Sequence, residues 1–205
     1  MAVLQIDELN NLGKRAIPYE KYFGEMDLSV EQIEKRVEFS KKFESILFFY
    51  LMLIGTQRDI YGEPRYWEIK IQLRNDYREL LEEYTEVDET TEAYITQFVE
   101  NFVNATERTN DISEDRAEFN AENEANTVFN SLEYTEAIAQ GKRFKTWKTK
   151  EDLKVRETHF EVDREKIPID EYFFVGDSMM LYPKDTSLGA SAEEIVNCRC
   201  TVEYS

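Results

Sequence analysis

The chain has one histidine, two cysteines, four prolines and seven glycines in 205 residues. Each shortage removes a class of function. Seven glycines leave little material for loops that cradle phosphate, and no Gly-rich nucleotide loop, H-E-x-x-H or G-x-S-x-G pattern is present. Cys198 and Cys200 are spaced C-x-C, and adjacent same-face strand positions strain a disulfide, so free thiols in a reducing interior are expected. The longest apolar run is ILFFYLMLI, Ile46 to Ile54, against the ~20 residues that a bilayer span needs. The start MAVLQIDELNNLGKR has no basic lead followed by an apolar run, so no secretory leader and no membrane partner are expected. Bases are scarce too, 25 against 43 acids, for a net charge of -18. That balance disfavours a protein that tracks phosphates, which needs a basic face. It favours solubility and a basic protein partner.

What is present points to a folded, helix-rich chain. Hydrophobic residues make up 41% and aromatics 13%, enough for an aromatic core despite the charge. The length suits one domain or two small ones. Charge is unevenly spread: residues 81–140 hold 16 acids and two bases, whereas GKRFKTWKTK, residues 141–150, holds five bases and no acid. The basic decapeptide reads as a strand edge guarded by lysine. A phosphate or DNA contact through Lys142, Arg143, Lys145, Lys148 and Lys150, or a contact with an acidic partner, is the other reading.

Taken in order, residues 1–28 are weakly patterned, with a short helix expected over Val3–Leu12 and Tyr19, Tyr22 and Phe23 as anchors. Ser29 and Gln32 form a capping box that opens a long helix, with Gly55 as its expected stop. Apolar residues at helical spacing predict further helices over 65–84, 92–108 and 115–130. In the last of these, Glu118, Glu122 and Asn126 share a face, as do Asn120 and Glu124, which reads as a solvated or inter-helix polar face, as an interface to partner subunits or as an acid-supported site. A short helix is expected over 133–140. Beyond it, Phe144 to Trp147 alternates like a strand, and Thr149 to Asp152 reads as a cap opening a helix to about His159. Short apolar runs follow at 167–169, 173–175, 179–182 and 195–204. The predicted fold is α+β: an N-terminal helical region followed by a small C-terminal α+β unit with short antiparallel strands. Boundaries are placed at 1–110, 111–141 and 142–205.

The rare residue types collect between Trp147 and Cys200. On a helix, Asp152, Arg156 and His159 would share one face; on a strand, Cys198 and Cys200 would too. If the two faces met, His159, Cys198, Cys200 and Asp152 would offer zinc a ligand set, although C-x-C is tighter than the usual finger spacing. The bland reading is a polar cluster in which Asp152 pairs with Arg156 and the thiols serve as small hydrophobes. A Cys–His nucleophile is a third, but the Asp and Glu near Cys198 would raise the thiol pKa. No catalytic residue is expected, no cofactor is expected unless zinc fills that set, and the protein is not expected to be an enzyme.

The segment also resembles a family. The ordered set W-x-T-x-x-D-x-x-V-R-x-x-H, I-P-I-D-E-x-F, V-G-D-S-M-M-x-Y-P-x-D and E-I-V-N-C-R-C is similar to the C-terminal domain of phage head morphogenesis proteins, the Mu F-like minor head proteins. RAEFNAENEANTVFN, Arg116 to Asn130, is similar to the helix preceding that domain. The resemblance implies a structural virion protein, a minor capsid protein of the head interior made in the host cytoplasm. It also implies association with the portal and other capsid or scaffold subunits, and a role in head morphogenesis, packaging or genome ejection. Such domains can be fused to toxins or transferases, and with the sequence ending at Ser205 no fused enzyme is expected. Asp177 and Lys184 stand where the resemblance implies glycines. The rival reading is a metal-binding, nuclease-like or toxin effector using His159, Cys198 and Cys200.

Overall fold

The computed structural model describes residues 18–205. The helix expected over Val3–Leu12 lies outside them. The described chain falls into two compact units, residues 38–121 and residues 18–37 with 122–205.

The first unit is helical. It contains most of α2 (Val30–Tyr61), α3 (Tyr66–Glu82), α4 (Glu89–Thr109) and the start of α5 (Glu114–Ala139). Its centre is aromatic. Phe43 stacks at 4.4 Å from Tyr77 and 5.3 Å from Phe98, and Tyr77 meets Phe98 edge-on at 5.4 Å. Such tilted and edge-on pairs add roughly 0.5–1.5 kcal/mol each beyond the area they bury. Polar ties cross the same helices: Tyr50 donates to Asp76 at 2.7 Å, and Lys70 to Glu100 at 2.6 Å and Asn104 at 2.8 Å.

Helix boundaries follow local chemistry, and several differ from the sequence reading. The capping box forms as expected: Ser29 N–H donates to Gln32 and Gln32 N–H to the Ser29 hydroxyl. Gly55, however, does not stop α2. A Cβ there would lie 3.1 Å from Cδ1 of Ile112, so this glycine keeps room for a side chain inside the unit. The helix ends instead at Gly62, where φ is +79°. Asp88 caps α4 through the Thr91 amide, and Asn110 closes it in the left-handed region. The helices expected at 115–130 and 133–140 are one, because Ser131 sits within α5 and its backbone carbonyl accepts the Thr135 hydroxyl.

The second unit mixes short helices with strands. It holds α1 (Tyr19–Gly24), the first turns of α2, and the end of α5. It also holds β1 (Phe144–Lys148), α6 (Glu157–Glu161), β2 (Lys166–Pro168), β3 (Phe173–Val175), β4 (Ser178–Met180), α7 (Ala192–Ile195) and β5 (Thr201–Tyr204). Strands β2-β1-β5 form an antiparallel sheet, and β3 pairs with β4 in a hairpin. Tyr19 and Phe23 are buried, as anchors should be. The core gathers Trp147, Val162, Phe173, Val175, Met180, Cys198 and Cys200. One buried cation organises the helical side: Arg36 donates to Glu133 at 2.7 and 3.1 Å, to Asn126 at 3.2 Å and to Asn130 at 3.1 Å.

Two expectations for this unit are overturned. The basic strand β1 is not an edge, since β2 and β5 flank it on both sides. Lys145 on it is fully buried: its Nζ donates to the Leu181 carbonyl at 2.7 Å and lies about 5 Å from the rings of Tyr134 and Phe173. It is not available to DNA, and Lys148 is paired with Glu203 at 3.1 Å. Secondly, no helix runs from Thr149 to His159. Residues 149–156 are irregular, with a turn at their centre, and α6 begins only at Glu157.

Candidate metal centre

Four short elements bring the rare residues together. β1 supplies Trp147, α6 supplies His159, α7 supplies Glu194, and the turn before β5 supplies Cys198 and Cys200. The two cysteines precede the strand rather than lying in it, so the expected alternation is not what places them side by side. The turn does: Asn197 takes φ +57°, and its amide donates to Asn123 at 2.9 Å.

The geometry is tight. Nδ1 of His159 lies 3.3 Å from Sγ of Cys200 and 3.6 Å from Sγ of Cys198. All three donor atoms fall within 4.8 Å of one another, and all three residues are buried. The other ring nitrogen, Nε2, meets Oε2 of Glu194 at 2.9 Å, and the same oxygen accepts from the Thr158 hydroxyl at 2.9 Å. Trp147 covers the histidine edge-on at 5.8 Å between ring centroids. Gly176, at φ +56°, leaves space for the carboxylate, since a Cβ there would lie 2.7 Å from Oε1 of Glu194. Only glycine accepts both that conformation and that approach.

Electrostatics divide the two thiols. Cys198 is held well below the ordinary thiol range by a hydrogen bond with Cys200 and by the His159 imidazole. Cys200 is pushed well above it by the neighbouring sulfur and by burial. The contact between the two sulfurs thus favours ionisation of Cys198 over that of Cys200. The Asp and Glu near Cys198 in sequence do not set its acidity, contrary to the expectation of a raised thiol. Burial draws His159 down, but the Cys198 sulfur and Glu194 outweigh it and leave the ring above its usual value.

Asp152 is not brought into the cluster. Both its oxygens take the guanidinium of Arg199, at 2.7 and 2.8 Å, and this pair holds the carboxyl down at about 2. Nor does Asp152 pair with Arg156, which donates to the Val196 carbonyl. Glu194 opens the E-I-V-N-C-R-C motif, yet sequence reasoning gives it no place in the ligand cluster, because a carboxylate four residues ahead of a cysteine is common. Lys184, where the resemblance implies glycine, does adopt φ +70°, so the turn keeps the conformation a glycine would serve. Its buried Nζ donates to Asn123 at 2.9 Å. Asp177 does not need positive φ; Gly176 before it does.

The donors available, two thiols and an imidazole, are those of soft or borderline metals. Alternatively they form a closed hydrogen-bonded cluster. Among the described residues no helix is long and apolar enough to cross a membrane. Searches of curated proteins and of solved structures returned no match. The family model for Phage Mu protein F like protein matches residues 77–203, a span that contains His159, Glu194, Cys198 and Cys200. That match covers more than half of the chain and includes the motifs Trp147 to His159 and Glu194 to Cys200, so the protein belongs to the phage Mu protein F like family.

Proposed function

We propose that this chain is a minor head protein that docks on the portal and acts in head assembly and in packaging or delivery of the genome. The observation that carries the reading is family membership over residues 77–203, which makes the chain a phage-head-related, virion-associated protein. The helical unit supports the finer step. Phe49, Met52 and Ile60 are exposed on α2, and Trp67 and Ile71 on α3. Their spacing puts them on one face of each helix, and exposed aromatic and aliphatic residues at such spacing suit docking against another subunit. The sheet supports a structural role as well, because a DNA contact through β1 and its flanks is reduced to Lys142, Arg143 and Lys150. The effector reading gains nothing from the cluster, whose donor atoms are buried where a phosphodiester cannot reach them. Co-expression with the portal subunit of the same phage, followed by size exclusion with mass measurement, tests the proposal. A complex containing both chains is expected. Separate elution, together with absence of the protein from procapsids and mature heads, overturns it.

A further inference from the structure

We propose that Cys198, Cys200 and Nδ1 of His159 bind one zinc ion, with Glu194 as the residue that aims the imidazole and water as the fourth ligand. A tetrahedral ion with bonds of ~2.3 Å to sulfur and ~2.0–2.1 Å to nitrogen sets each sulfur about 3.6 Å from the nitrogen. The protein places them at 3.3 and 3.6 Å. The ligand atoms therefore stand nearly where the ion needs them. A carboxylate only accepts, so in the zinc-bound site Nε2 of His159 would carry the ring proton toward Glu194 and the Nδ1 lone pair would face the ion. A carboxylate on the far nitrogen is the usual partner of a metal-binding histidine. The apolar cover that such a site needs is supplied by Trp147, Phe173 and Val175.

The fourth position has a place as well. A cavity of about 20 Å³ is bordered by Val155, Arg156, His159, Asn197, Cys198 and Cys200. That is room for one water, which needs roughly 10–15 Å³. Binding would leave both sulfurs as thiolates and the ring neutral, release to solvent the protons they carry in the metal-free protein, and give a neutral centre of two thiolates, one imidazole and one water. The ion would join α6, α7 and the β5 turn, elements of four or five residues that are too short to stand by themselves. Nothing in this site depends on portal docking, so its failure would leave the head-protein reading untouched, and the reverse holds too.

The test uses the full chain without an affinity tag, grown with zinc and dialysed. Elemental analysis should find about one zinc per chain; under about 0.2 overturns the proposal, since a structural site should be near full. Cobalt exchanged into the same protein should give intense visible bands of a tetrahedral ion and a thiolate charge-transfer band. Weak octahedral bands overturn it without recourse to variants. Cys198→Ser and Cys200→Ser should each lose the charge-transfer intensity in part, while Asp152→Ala should keep the full spectrum. Loss of cobalt binding in Asp152→Ala overturns the ligand set. Glu194→Gln should weaken zinc about 10- to 100-fold, and unchanged affinity removes Glu194 from its orienting role.

Discussion

Nε2 of His159 and Oε2 of Glu194 meet at 2.9 Å, both side chains being buried in the C-terminal unit. The contact adds, after the larger effect of the Cys198 sulfur, to a pH signature in the metal-free protein. The imidazole is held above its ordinary value in the fold, so its contribution to stability is complete below the unfolded value of about 6.5 and is lost as pH rises through the folded one. As the chain has a single histidine, proton NMR reads this ring without assignment. The expected midpoint lies above about 6.5 and falls in Glu194→Gln. A midpoint unmoved by the substitution would show that the carboxylate does not sustain the protonated ring.

Arg36 is another buried charge with a full set of partners, and it is invisible in the sequence. It interrupts an apolar stripe between Ile33 and Val37, and nothing local marks it as internal. Its fork fits the Glu133 carboxylate, and the Asn126 and Asn130 amide oxygens with the Gln32 carbonyl fill the three remaining donors. Removing one partner of such a pair strands the rest, a cost of ~3–5 kcal/mol. Arg36→Ala is expected to lower the denaturation free energy by that order. Arg36→Lys should recover only part, because an ammonium cannot make the two-pronged contact. Equal stability of all three proteins in urea titrations would contradict this.

Helices are legible in the sequence where period and cap agree, as with Ser29 and Gln32, or Phe98 and Phe102 in α4. They are misread where packing overrules a residue's usual meaning: Gly55 gives way to Ile112, and Ser131 continues α5. The metal candidates divide in the same way. His159, Cys198 and Cys200 are identifiable because they are rare. Asp152 is drawn in by helical spacing, but that helix does not exist. Glu194 stands in the E-I-V-N-C-R-C motif, but its place beside the imidazole is a contact across 35 residues, and no periodicity records such a contact.

Lys145 gives a test of opposite sign. Burial lowers its ammonium to about 8, and the acids Asp185, Asp170 and Glu171 only partly offset this. The folded value lies below the unfolded one, so the unfolded chain binds more protons between about pH 8 and 10.5, and stability rises with pH across that window. Lys145→Met keeps the packing between Tyr134 and Phe173 and removes the proton. The difference in denaturation free energy, variant minus wild type, is expected to move in the negative direction as pH climbs from 8 to 10, because only the wild type gains stability across that window. A difference independent of pH would mean that the lysine is solvated.

The apolar residues on α2 and α3 carry the docking reading, and they can be altered without touching the core. Ile60 and Trp67 are 64% and 68% exposed, so Ile60→Glu with Trp67→Glu should change thermal stability by no more than about 0.5 kcal/mol per site. Burying a glutamate against a partner without a counter-charge is costly, so the same double variant should no longer elute with the portal subunit. Two controls separate the outcomes. Lys142→Glu should leave the portal complex intact, and the double variant should keep the wild-type zinc content. If the double variant still joins the portal at wild-type stoichiometry, the contact lies on another surface and the helical face has no part in it.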